Sequence, residues 1–256
     1  MTERNRFDVG GKVVIITGAT KGLGRAFAFG LAEAGAKIVV SSRKPDLCAA
    51  TAAEISDKTG AETLGRACHV GQWDAIPQFI DAVTERFGRI DGLINNAGIS
   101  PAFTDLVDMT SEYWDKVFST NLKGPLRLAA LAAPVMRDGG GGSIINISSI
   151  GGYRGLPHNS HYSASKAALI NLTEAMAAEW APWNIRANSV SPGPFVTPLL
   201  QGMGRNTPGG LEVLAAAPLL SRAADPDEAV GLIQFLLSDA SAFITGADHE
   251  ISGGRR

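Results

Sequence analysis

Short apolar runs alternate with helical stretches along most of the chain. Residues 12–17 (KVVIIT) form a nearly continuous apolar run, as a strand buried on both faces requires. A glycine-rich turn follows. Residues 23–34 then read as a helix, with Leu23, Phe27 and Leu31 spaced four apart and Gly35 in the position that ends helices. The alternation repeats. Strands are predicted at 37–42, more weakly at 62–67, and at 90–94, 143–147 and 185–190, with a last one near 249–251. Helices are predicted at 45–58, 73–87, 111–136, 161–180 and 226–237.

That order predicts an α/β fold: one doubly wound domain over residues 1–256, with a mostly parallel sheet and helices on both faces. No linker divides the chain and no internal repeat is present. The stretch 192–222 breaks the pattern. It is rich in Gly and Pro, allows only short helices, and reads as a lid over a substrate at about 194–222.

Composition narrows the picture. The 256 residues, 45% of them hydrophobic, suffice for one sizeable core. The net charge of −2 favours neither nucleic acid nor an anionic membrane, and basic residues are scattered apart from the closing Arg255-Arg256 pair. Cys48 and Cys68 lack metal-like spacing and read as free thiols; no metal site is expected. The polar start, MTERNRFDVG, is unlike a secretory signal, and no apolar run reaches the length of a membrane span. A soluble cytoplasmic protein is expected.

The candidate chemistry begins at the turn Thr17-Gly18-Ala19-Thr20-Lys21-Gly22-Leu23-Gly24. Glycines between a strand and a helix allow a tight turn and let backbone approach a ligand. The helix N-terminus then offers N–H groups and positive charge to a pyrophosphate. A second constellation is Tyr162 with Lys166, four residues apart on one helix face. An ordinary phenol titrates near pH 10, and lowering it to about 7 takes roughly 4 kcal/mol. A positive charge about 4 Å away supplies about that much at an effective dielectric of 20. Tyr162 is therefore a candidate acid/base.

With TGATKGLG at 17–24, NNAG at 95–98, Asn121, Ser149, Tyr162 with Lys166, and SPGPFVT at 191–197, the chain resembles the short-chain dehydrogenase/reductase family along its whole length. The resemblance implies an NAD(P)-dependent oxidoreductase with a Rossmann-type sheet of about seven strands and a homotetrameric assembly. It implies that Ser149 binds the substrate oxygen, that Lys166 also holds the nicotinamide ribose, and that Asn121 holds a water beside the lysine. It further implies cofactor contacts from Gly18, Thr20, Lys21, Gly22, Leu23, Gly24, Asn95, Ala97, Gly98, Pro192, Gly193, Val196 and Thr197.

The choice of cofactor turns on the end of the second strand. A carboxylate there holds a ribose hydroxyl, whereas a base accommodates a 2′-phosphate. Here Ser42 is followed by Arg43 and Lys44, and Lys21 converges on the same corner. NADP(H) is favoured, with NAD(H) as the alternative. The resemblance places Val70 at the adenine and His69 where relatives carry an aspartate.

Candidate substrate-wall residues are Ser100, Ile150, Tyr153, His158, Phe195, Leu199 and Met203, a mostly apolar set that suits a lipophilic ketone or secondary alcohol. His161 reads as a surface residue at a helix start. Two rivals stand beside this reading. One is a 3-oxoacyl carrier-protein reductase, for which Arg127, Arg137 and Arg154 form no evident docking patch. The other is a protein that binds NADP without chemistry, as a sensor or scaffold.

Overall fold

In the computed structural model, residues 5–100, 104–205 and 207–254 are described; the closing arginine pair lies outside them. Seven strands form one sheet: β1 (Val13–Thr17), β2 (Lys37–Ser41), β3 (Thr63–Gly65), β4 (Gly92–Asn95), β5 (Gly142–Ile147), β6 (Ile185–Pro192) and β7 (Asp248–Ile251). Their order is β3-β2-β1-β4-β5-β6-β7. Every pairing is parallel, so the sheet is wholly rather than mostly parallel.

The pleat explains why β1 is apolar from Val13 to Ile16. Val14 and Ile16 point into one core, with Phe27 and Leu31 of α1 (Gly22–Glu33), Ile55 of α2 (Pro45–Thr59) and Ile233 and Leu236. Val13 and Ile15 point into the other, with Phe79 of α3 (Ile76–Phe87), Leu128 and Met176. Each fully buried aliphatic side chain contributes about 1.5–3 kcal/mol. Two covered faces require the alternating helices that the sequence predicts.

The predicted long helix over 111–136 is an unbroken helical run over 111–138 with a π-helical stretch inside it. It consists of α4 (Ser111–Phe118), a π-turn (Ser119–Lys123) and α5 (Gly124–Asp138). The helix that carries Tyr162 is α6 (Ser160–Trp180). The poorly periodic stretch folds into two short helices, α7 (Pro198–Gly204) and α8 (Gly210–Ala216), and α9 (Val230–Leu237) follows a 3-10 turn. Among the described residues no helix is long and apolar enough to cross a membrane.

Strand order reverses between β1 and β4. At that switch point the crossovers leave in opposite directions and open a crevice beyond the carboxyl ends of the strands. Arg186 of β6 braces the far side. Its guanidinium donates to Leu236 O at 2.7 Å and Ser238 O at 3.4 Å, so a cation satisfies carbonyls at the C-terminus of α9.

Candidate active site

The glycine turn after β1 is locked from β4. Asn96 donates from Nδ2 to Thr17 O at 2.8 Å, and Thr17 Oγ1 accepts from the Asn96 and Ala97 N–H groups at 3.0 Å each. Gly18 has φ +67° and Gly22 φ +55°, which L side chains rarely adopt. A Cβ on Gly24 would collide with Asn96 Nδ2 and Gly18 O. The N-terminus of α1 has neither a side-chain cap nor an acidic residue in its first turn. Its free N–H groups and positive end therefore fit an anionic phosphate.

Asn95 behaves differently. Its side chain is buried under the sheet, where Nδ2 donates to Asn146 Oδ1 at 2.8 Å, and Asn146 donates on to Thr173 Oγ1 at 2.9 Å. Of the two asparagines, Asn96 lines the crevice.

At the end of β2, Ser42 Oγ lies 3.2 Å from Cys48 Sγ. Arg43, Lys44 and Lys21 are exposed and make no ion pair among the described residues. His69 is exposed, and its Nδ1 accepts from Gly71 N–H at 3.2 Å. Val70 is buried.

Beside the turn opens a cavity of about 800 Å³. Ser149, Tyr162 and Lys166 converge on it, as do Leu23, Gly98, Pro192, Gly193 and Thr197. Ser149 leaves β5 in extended conformation, and its hydroxyl accepts from Gly151 N–H at 3.0 Å while hydrogen-bonding the Tyr162 phenol. Ser148 faces elsewhere and donates to Lys166 O at 2.9 Å, tying β5 to α6. Lys166 Nζ donates to Ile147 O at 2.7 Å.

The π-turn positions Asn121. Its Oδ1 accepts from Ile99 N–H and its Nδ2 donates to Ile99 O, both at 2.9 Å, as a neighbouring strand would. The same Nδ2 reaches Ser165 Oγ at 3.1 Å. A Cβ on Gly98 would meet Lys166 Nζ at 3.4 Å and Asn121 Oδ1 at 3.5 Å, so both groups border one small space. A π-turn widens the helix where a side chain must leave its helical path, a frequent device at functional sites.

The electrostatics differ from the sequence expectation. Burial raises the Tyr162 phenol, opposed by the Ser149 hydrogen bond. Burial also lowers Lys166 to about 8. The ammonium sits 5.8 Å from the ring centroid, engaged with a carbonyl. Desolvation of the phenolate thus outweighs the lysine within the chain itself.

Four of the predicted substrate residues, Ile150, Phe195, Leu199 and Met203, line the cavity. Three are drawn away. Tyr153 OH donates to Asp248 Oδ2 at 2.5 Å, the Ser100 and Asn159 side chains bond each other, and His158, at φ +60°, pairs with Asp105. The Val196 N–H is taken by Ala224 O at 2.9 Å. His161 is fully buried, not on the surface, and packs edge-on against Tyr113 at 5.0 Å. Sequence reasoning missed Leu156, Leu214 and Pro218 in the lining, all in aperiodic chain that only tertiary folding brings together. It also missed that Arg154 belongs there. Among the described residues no group of three His, Cys, Asp or Glu could hold a metal.

Residues 18–256 match a family model described as enoyl-(acyl carrier protein) reductase. The chain belongs to the short-chain dehydrogenase/reductase family. It is 34% identical over 243 residues to dehydrogenase/reductase SDR family member 4 of Sus scrofa, covering 95% of this chain and 86% of that one. Among solved structures it is similar to L-sorbose reductase from Gluconobacter frateurii with NADPH and L-sorbose (30% identity, TM-score 0.91, 98% of each chain). It is similar as well to NAD+-bound xylitol dehydrogenase (31% identity, TM-score 0.89, 96% of this chain and 99% of that one). As a short-chain dehydrogenase/reductase the protein is an NAD(P)-dependent oxidoreductase acting on CH–OH groups.

Proposed function

We propose that the protein interconverts a lipophilic ketone and its secondary alcohol with NADP(H), using Tyr162 as acid and base. The observation that carries this reading is the convergence of Ser149, Tyr162 and Lys166 on one cavity beside the glycine turn. When bound, the cofactor supplies or takes the hydride, and its oxidised form adds a positive charge that favours the phenolate. In the reducing direction the Ser149 hydroxyl, which accepts from Gly151 N–H and hydrogen-bonds the Tyr162 phenol, would turn its proton to the substrate oxygen. Tyr162 delivers a proton to that oxygen as charge develops. Lys166 and Asn121 border one space, where a water between them would pass the proton onward.

The cofactor preference rests on Arg43, Lys44 and Lys21, which are exposed and make no ion pair among the described residues, so that they could meet a 2′-phosphate. A guanidinium pairs with phosphate in a bidentate way. The apolar lining, with Leu156, Leu199, Met203 and Leu214, favours a lipophilic substrate over a polyol. The acyl carrier-protein rival gains little support, because Arg127 stacks on Trp73 at 4.7 Å and Arg137 pairs with Asp138. Turnover of a ketone and alcohol panel with both cofactors, followed by nicotinamide absorbance, tests the reading. Tyr162→Phe is expected to lower kcat by about a thousandfold or more while NADPH still binds. Near-native kcat in that variant refutes the acid/base role, and a silent panel favours the non-catalytic rival.

A further inference from the structure

The cavity carries a second cation that the proposed reaction does not use. Among its lining residues the titratable side chains are Arg154, Tyr162 and Lys166, and no Asp or Glu is present. Lys166 is committed to the Ile147 carbonyl at 2.7 Å, at the reacting end. Arg154 is exposed and has no carboxylate partner among the described residues, unlike Arg25, Arg89, Arg137 and Arg222. It follows Tyr153, whose hydroxyl is tied to Asp248 of β7 at 2.5 Å, so the backbone at its base is anchored. The surrounding wall is apolar, including Leu156, Leu199, Met203 and Leu214. The guanidinium thus stands uncompensated at the edge of an apolar wall, with its fork of donors free for an anion.

Building on the ketone reading, we infer that the substrate is an oxo acid. Its carbonyl meets Ser149 and Tyr162, its apolar body lies against the leucines, and its carboxylate pairs with Arg154. Arg154 sits on the loop after Ser149, which supplies none of the expected cofactor contacts, so a cofactor phosphate is not the anion it serves. The guanidinium fork matches a carboxylate bidentately. Arg154 is then a residue of substrate choice rather than of proton transfer.

The test compares methyl-ketone carboxylic acids of increasing chain length with their methyl esters. In the wild type, kcat/KM for the best acid should exceed that of its ester by about tenfold, chiefly through KM and less so at high salt. Arg154→Gln should bring the acid-to-ester ratio close to one, and Arg154→Lys should keep part of it. Binding of the same pairs to the NADPH-loaded Tyr162→Phe protein, measured by calorimetry, reads the preference without turnover. Equal use and equal binding of acid and ester overturn the oxo-acid inference while leaving the ketone reading intact. A phosphate-bearing oxoacyl thioester preferred over every acid also overturns it. Tighter binding of the acid with no turnover in the wild type supports Arg154 and sinks the ketone reading.

Discussion

The two sides of the cavity are built by opposite means. On the side proposed for the cofactor, contacts to its pyrophosphate would come from backbone. Gly18 and Gly24 are packed under Asn96, which Thr17 holds, and Gly22 lies against Thr197, with no space for a methyl group at Gly24. On the substrate side they come from side chains on the loop after Ser149 and on two short helices, with Leu199 still 38% exposed. The first side cannot change without moving the chain. The second can be relined one residue at a time. A scaffold built this way keeps its reaction while its substrate varies.

The largest test falls on the backbone side. Gly24→Ala is expected to weaken NADPH binding at least about a hundredfold and to lower stability by about 3 kcal/mol, measured by fluorescence titration and urea unfolding. An alanine that leaves both untouched would remove the contrast.

Lys166 comes next, because it sits between the two sides and is buried for function. Its value of about 8 lies below the ordinary 10.5, so between those limits the unfolded chain holds the proton more tightly. Its burial therefore costs stability in full below pH 8, and the cost fades as pH climbs toward 10.5. Lys166→Met should lose activity yet unfold at higher urea at pH 7, by about 2 kcal/mol, with a smaller gain at pH 10. A variant less stable than wild type at pH 7 contradicts this.

A smaller effect is expected at the exposed end of β2. Arg43→Asp should move the NADPH-to-NADH ratio of kcat/KM by about tenfold toward NADH. The smallest belongs to the substrate side. Leu199→Ser should raise KM for an apolar ketone about threefold and change stability by no more than about 0.5 kcal/mol. A large stability loss there would mean that α7 is structural wall, not adaptable lining.

The sequence made the cofactor side legible because its signals are local. A six-residue apolar run and three glycines can each be read within a few positions. Ser149, Tyr162 and Lys166 were also readable, since their order and spacing survive without coordinates. The π-turn was not. Apolar periodicity continues through 111–136, and what breaks it is the pairing of Asn121 with Ile99, 22 residues away. His161 misled for a similar reason: a polar residue at a helix start looks exposed until Tyr113 covers it. Arg154 could be seen as a basic residue, but its place in the cavity depends on α7 and α8 folding over it.

The π-turn also sets the phase of two helical faces. Each residue in an α-helix advances the side-chain direction by about 100°. Removing one residue from 119–123 would merge α4 and α5 into a straight rod and turn one against the other by about that angle. Tyr113 would then leave His161, or Leu128 would leave the sheet. The local bulge therefore lets a single continuous run of chain satisfy two neighbours that no regular helix could face at once.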